Sequence, residues 1–316
     1  MMNRRSFLKG LLAGLGALLW QQKGRAAEAQ PYQRIVVLGD PHLPVRVLQH
    51  PDKAEQERIK AAKNALIKDI NGWDDVTAVV VVGDIVEQRA VPAEYAYIRK
   101  YFSRLQKPLW VINGNHEFRY KDAPDAKGKP VVADPAIWRR KLQAFQDFWQ
   151  LPSRWYTKEL APYHLVFLSA EGPQNTQLGE EQLQWLAADL AAHRTQPTLV
   201  FFHGPLMHTL LTYSKSVNTV RATAQPEKEL DAILQANPQV QLWVSGHTHT
   251  PATNYSYAAP GINQYNDHLT DIHNADLDRK TIWTNSLYLY PDHILVRTFN
   301  HKTQAWMPEF DRTFRH

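Results

Sequence analysis

The 316-residue chain contains no cysteine. That absence excludes disulfides, thiolate metal sites, iron–sulfur clusters, cysteine nucleophiles and a lipid-bearing lipoprotein cysteine. Any metal site must be built from His, Asp, Glu and Asn, hard or borderline donors that suit Mn, Fe or Zn. No apolar run is long enough for a bilayer. The candidate stretch, Gly10 to Trp20, covers eleven residues and includes three glycines, whereas a spanning helix takes about 20 residues. Repeats, low-complexity tracts and Pro/Ser linkers are missing as well, so the chain reads as one domain of ordinary or large size.

The first residues read as a leader. Arg4-Arg5-Ser6-Phe7-Leu8-Lys9 precedes the short apolar stretch, and Ala27-Glu28-Ala29 forms a small-residue cleavage site. The pattern resembles a twin-arginine export signal, which predicts cleavage after Ala29, passage through the twin-arginine translocation machinery and a periplasmic or secreted location. The leader also carries most of the excess charge. Setting aside its five basic residues and one acidic residue from the 36 and 31 of the whole chain leaves a net charge of about +1. The mature chain, 30–316, therefore has no global bias toward nucleic acid or membrane surfaces, and no nucleic-acid partner or membrane span is expected of it.

From Arg34 the chain alternates β-branched runs with amphipathic stretches. Runs at 34–38, 78–82 and 108–112 each end in Gly or Asn-Gly and read as buried strands. Helical patterns occupy 53–70 and 92–105, the latter opened by Pro92. A β-α-β-α-β order argues for a largely parallel sheet flanked by helices, with ligands bound beyond the carboxyl ends of the strands. Downstream come an aromatic helix over 134–150, strands at 155–160 and 164–168, a helix at 180–193, a strand at 198–202, a helix at 227–235 and a strand at 240–244. Residues 119–150, 206–225 and 251–280 read as insertions, the last as a long polar loop. Strands at 281–289 and 294–299 close the chain as an antiparallel hairpin. The aromatics of 134–150 suit core packing better than a substrate lid.

Five of these runs end in a loop bearing metal-capable side chains: Asp40-Pro41-His42, Gly83-Asp84 with Glu87, Gly114-Asn115-His116-Glu117, His203, and Gly246-His247-Thr248-His249. Each has an ordinary reading by itself. An Asp after a strand caps helices, an Asn makes turns, and a His can be a satisfied core residue. Recurrence at five strand ends is what those readings do not explain.

The ordered set DxH, GD, GNH[ED], H and GHxH resembles the calcineurin-like metallophosphoesterases over about Ile35 to His249. The closing hairpin, with Ser286-Leu287 and Val296-Arg297, resembles the end of small bacterial class III phosphodiesterases. The resemblance implies an α/β fold, a four-layer αββα sandwich, and two metal ions. Carried over by position, Asp40, His42 and His249 hold one metal, Asn115, His203 and His247 the other, and Asp84 bridges them. It further implies attack on phosphorus by a metal-bridging hydroxide, with His116 as general acid. Glu87 stands where the phosphatase branch has the acid that pairs with this histidine, which gives a Glu87–His116 dyad. Arg119, together with Asn115, is a candidate contact to a phosphate oxygen of a small phosphoester substrate, although for Arg119 a solvated loop arginine is the plainer reading. His208 and His273 are expected not to be ligands. The expected function is an exported two-metal phosphoesterase, diesters preferred. Open alternatives are a phosphomonoesterase, a nuclease of the same chemistry, or an inactive metal-dependent binding protein. In the GHxH loop, alternate residues of an extended segment share a side, which would aim both imidazoles at one cluster.

Overall fold

The computed structural model describes residues 32–316; the leader expected over residues 1–29 lies outside the described residues. Two sheets form the centre. The first contains β1 (Gln33–Leu38), β2 (Val76–Val82) and β3 (Leu109–Ile112), which are mutually parallel. It continues through β10 (Trp283–Leu289), β11 (His293–Asn300) and β12 (Ala305–Trp306) on the other side of β1, with β13 (Arg312–Arg315) also on β11. The second runs in the order β4 (Tyr156–Leu160), β5 (Tyr163–Phe167), β6 (Thr198–Phe201), β7 (Val240–Ser245), β9 (Leu269–His273), β8 (Gln264–Tyr265). Its strands β5, β6, β7 and β9 are parallel.

The alternation of side chains along each strand builds the layers. Ile35 and Val37 of β1 and Val80 and Val82 of β2 share a core with Leu165, Phe167, Leu199, Phe201, Leu242 and Val244 of the second sheet. The residues between them face the other way. Val36, Leu38, Val79 and Val81 meet Leu66, Ile67 and Ile70 of α1 (Lys53–Asn71) and Ile98 and Tyr101 of α2 (Pro92–Phe102). On the far side, Val166, Val200 and Trp243 meet Leu186 and Leu190 of α4 (Glu180–Ala192) and Leu230 and Leu234 of α5 (Glu227–Gln235). Each sheet is thus buried on both faces, which is why its strands read as continuous apolar runs. At about 1.5–3 kcal/mol per buried aliphatic side chain, these three interfaces supply the main favourable term.

Helix ends follow local rules. Asp52 caps α1 by accepting from Ala54 N, and Asp134 caps α3 (Pro135–Trp149) by accepting from Ala136 N and Ile137 N. The aromatics of α3 pack into the cores: Phe145 is buried, Phe148 and Trp149 lie against the first helical layer, and Trp138 lies against the second. One expectation is corrected. The segment 251–280 is not a plain loop, because it holds α6 (Pro260–Asn263), β8 and β9. β9 reads as loop because Asp271 and His273 break its apolar pattern. Both are buried and satisfied instead: Asp271 accepts from Leu206 N and from the hydroxyls of Ser245 and Thr209, and His273 Nε2 donates to Thr209 O. Among the described residues no helix is long and apolar enough to cross a membrane.

Candidate metal centre

The strands β1, β2 and β3 run parallel, as do β6 and β7, so their carboxyl ends deliver five loops to one edge of the sandwich. There the side chains converge into two groups that share Asp84: Asp40, His42, Asp84 and His249, and Asp84, His203 and His247. Asn115 joins the second, its Oδ1 standing 3.3 Å from His203 Nε2. Asp84 Oδ2 lies 3.3 Å from His203 Nε2 and 3.9 Å from His42 Nε2. His208 is exposed, and His273, at the end of β9, is held by the carbonyl of Thr209; neither belongs to these groups.

The outer hydrogen bonds fix which ring nitrogens face inward. His42 Nδ1 donates to Glu87 O (3.3 Å), His203 Nδ1 to Val82 O (2.9 Å) and His247 Nε2 to Arg221 O (3.1 Å). In neutral His42 and His247 the inward atoms are therefore lone pairs; His247 Nδ1 faces His203 Nε2 at 3.0 Å, and His42 Nε2 faces His249 Nε2 at 3.3 Å. Imidazole nitrogens converging in pairs beside two buried carboxylates are a donor set that a cation satisfies, displacing any proton they hold. Burial and the neighbouring His203 push His247 down to about 3, and burial holds His42 well below the ordinary imidazole value. Both offer lone pairs at neutral pH. Burial opposes a charge on His203 as well, but Asp84 outweighs it and raises this imidazole to about 9. A cation in the second group would displace that proton. At His249 the outer nitrogen is shared: Arg46 Nη1 donates to Nδ1 at 3.1 Å, while Asp276 Oδ2 stands 3.7 Å away.

The loops reach this arrangement through left-handed backbone. Asp40, His42, Asp84, His247 and His249 all have φ between 42° and 63°, at a cost on the order of 1–3 kcal/mol each. This corrects the extended-segment reading of the GHxH loop. Thr248 N donates to Gly246 O at 2.7 Å, closing a three-residue turn around His247. The two imidazoles share a cluster because the loop curls, not because it alternates. Two glycines permit the approach. Gly83 sits at φ 95°, where a Cβ would meet His203 Nδ1 at 2.5 Å, and a Cβ on Gly246 would collide with the Asp40 carboxylate.

The remaining candidates divide. His116 belongs at the centre: its N–H donates to Asp84 Oδ1 (2.9 Å), its Nε2 lies 3.8 Å from Asp84 Oδ2, and its buried Nδ1 has no hydrogen-bond partner. Burial holds its pKa below the ordinary imidazole value. Glu87 does not pair with it. The Glu87 carboxylate turns to Val47 N (3.5 Å) and the Glu94 side, where burial and Glu94 raise its pKa, and only its backbone carbonyl serves the site. Arg119 is not presented to the centre either, because its guanidinium is buried and donates to Pro173 O at 2.6 Å. Position in a motif does not specify where a flexible side chain points, and both turn to nearer backbone partners.

Sequence reasoning left Glu117 without a role. It is fully buried and accepts four backbone N–H bonds, from Asp84, Ile85, Val86 and Gly114, at 2.7–3.0 Å. It thereby clamps the β2 and β3 loops together. Lys63 was also overlooked. Its Nζ donates to His42 O, Pro44 O and Asp278 Oδ1, and Asp278 in turn holds Arg46 and His50. A signal was present: Lys63 lies four residues after Ile59 and three before Leu66, on the apolar face of α1. A third histidine group, Glu159, His164 and His193, has metal-like proximity. The His164 and His193 rings are stacked at 3.8 Å with planes 11° apart, so no single ion lies in the plane of both.

Comparison with curated protein sequences finds no match. Among solved structures, the fold is similar to a dimetal phosphatase from Danio rerio, at 15% identity and TM-score 0.59, covering 90% of this chain and 98% of that one. It is similar to the purple acid phosphatase PPD1 from yellow lupin, Lupinus luteus, at 14% identity and TM-score 0.57, covering 90% of this chain and 54% of that one. It is also similar to PhoD, at 8% identity and TM-score 0.54, covering 90% of this chain and 68% of that one. At these identities the likeness is one of fold: two sheets flanked by helices. The description Calcineurin-like phosphoesterase matches residues 33–251, the span that carries all five loops, and this chain belongs to that family.

Proposed function

We propose that the protein is an exported two-metal phosphoesterase acting on small phosphoesters, diesters in preference to monoesters. The observation that carries this reading is the pair of ligand groups joined at Asp84, with His116 beside them. Asp40, His42, Asp84 and His249 would hold one ion and Asp84, Asn115, His203 and His247 the other, drawn from Mn, Fe or Zn. When bound, the ions supply positive charge for the phosphate oxygens and water of lowered pKa.

The chain's own contribution is placement. Glu117 fixes the loop that carries Asp84, and carbonyls of Val82, Glu87 and Arg221 aim three imidazoles inward. His116 is the proton donor to the leaving alkoxide. Burial disfavours its charged form, and an anionic phosphate beside it offsets that effect. The diester preference is supported by the site's shape: separate grooves of about 710 and 360 Å³ both include His249 in their walls, leaving room for two ester arms.

The test is turnover of bis-p-nitrophenyl phosphate and p-nitrophenyl phosphate by the chain from Gln30 onward with Mn added. Faster kcat/KM on the bis-ester supports a diesterase, and the reverse a monoesterase. Wild-type turnover by both Asp84→Asn and His116→Ala would overturn the assignment of the centre. Export is tested separately: replacing Arg4 and Arg5 by Lys should strand the protein unexported, and unchanged export overturns the twin-arginine route.

A further inference from the structure

The two grooves that meet at His249 differ in charge. In the smaller, every cation has a carboxylate: Arg46 bonds Asp276 and Asp278, Arg279 bonds Asp276, and Lys280 bonds Glu55. The larger carries Lys215 and Arg221 and has no Asp or Glu in its walls. Both cations are exposed, and neither forms an ion pair among the described residues. They stand on the 206–225 segment, whose Arg221 carbonyl accepts the Nε2–H of His247. The stretch that orients one candidate ligand therefore also sets where the two cations stand. Gln174, Asn175 and Thr219 add amide and hydroxyl groups to the wall.

We propose that this groove is a subsite for an ester arm that carries a second anionic group. The substrate class is then a phosphoester with a polar, hydroxyl-bearing arm bearing a further negative charge. This deepens the phosphoesterase reading and rests on it. A phosphoryl group does not fill about 710 Å³, so an arm of substantial size has room there. With no carboxylate to neutralise Lys215 and Arg221, an anionic group gains charge-assisted hydrogen bonds, to the Arg221 fork above all. A quaternary ammonium arm meets two like charges. Both cations reach solvent, so the preference is screened by salt.

Three glycerophosphodiesters share the scissile chemistry and differ in the charge of one arm: glycerophosphocholine, glycerophosphoglycerol and bis(glycerophospho)glycerol. With Mn-loaded chain at low salt, kcat/KM is expected to rise in that order, about tenfold between the extremes, the value of roughly one charge-assisted contact. The spread should shrink at high salt. Lys215→Glu with Arg221→Glu should invert the order, and Lys215→Ala or Arg221→Ala alone should narrow it. The same order is expected in the binding affinities of the His116→Ala variant, measured by calorimetry. A flat or reversed order in the wild type, or an order untouched by charge reversal, overturns the subsite. If the binding order holds while none of the esters is turned over, the phosphoesterase reading fails and the anionic subsite stands.

Discussion

Glu117 Oε2 accepts the backbone N–H of Asp84 at 3.0 Å, so the carboxylate shared by the two ligand groups is positioned by a second, buried carboxylate three residues beyond Gly114. Glu117 takes three more N–H groups from the same two loops. Alanine there would leave four buried donors without an acceptor, and glutamine would turn an amide donor toward them. Glu117→Ala is expected to destabilise the fold by on the order of 3–5 kcal/mol. Urea denaturation checks the magnitude. A loss below about 1 kcal/mol would show that water or a neighbour replaces the clamp.

Bound metal provides a test independent of activity. Wild-type chain, stripped with a chelator and reloaded with Mn, should bind two equivalents. Asp84→Asn weakens both groups because both use this carboxylate, whereas His203→Ala weakens chiefly the second. Elemental analysis after gel filtration checks the difference. Two equivalents retained by Asp84→Asn would refute its bridging place. Activity lost to the chelator should return on adding Mn.

His116 and Glu87 should part company. The Glu87 side chain faces Val47, and its service to His42 is through a carbonyl that substitution leaves in place. Glu87→Gln should change kcat by less than about threefold, as a substitution away from the reacting atoms does. His116→Ala should lower it by about 10²-fold or more, the usual weight of a general acid. Comparable losses in the two variants would restore the dyad.

Lys63 anchors the first loop from beneath. Its ammonium is buried between His42 O, Pro44 O and Asp278. Lys63→Met removes one partner of a buried pair and should cost about 3 kcal/mol. It should also weaken metal binding in the His42 group before the His203 group. Calorimetric titration with Mn resolves the two steps, and equal weakening of both would count against this local role.

His164 gives a pH signature remote from the centre. Burial opposes its charge, but Asp189 and Glu159, at 2.7 and 2.5 Å, outweigh burial and raise its pKa. A raised value means the folded state holds the proton more tightly than the unfolded one. The stabilisation is complete below the unfolded value, about 6.5, and fades as pH climbs through the higher folded value. Melting temperatures taken upward from pH 6.5 should fall more steeply for wild type than for His164→Asn. Parallel slopes would sink the idea.

Much of this protein was decided locally, and the sequence shows it. The buried runs of β1, β2, β6 and β7, the helical periods of α1 to α5 and the five loop motifs are written in short stretches of chain, because strand burial, capping and turn chemistry depend on near neighbours. The convergence of Asp40, His42, Asp84, Asn115, His203, His247 and His249 follows from parallel strands ending at one edge. What only the tertiary structure decided are matters between segments distant in the chain. Glu87 and Arg119 turned to backbone partners their motifs do not mention. β9 hid behind Asp271 and His273, whose hydrogen bonds come from other loops. Glu117 and Lys63 found roles only once four N–H groups or three oxygens had been gathered around them. A buried charge acquires its meaning from the groups that surround it, and those are assembled by the fold.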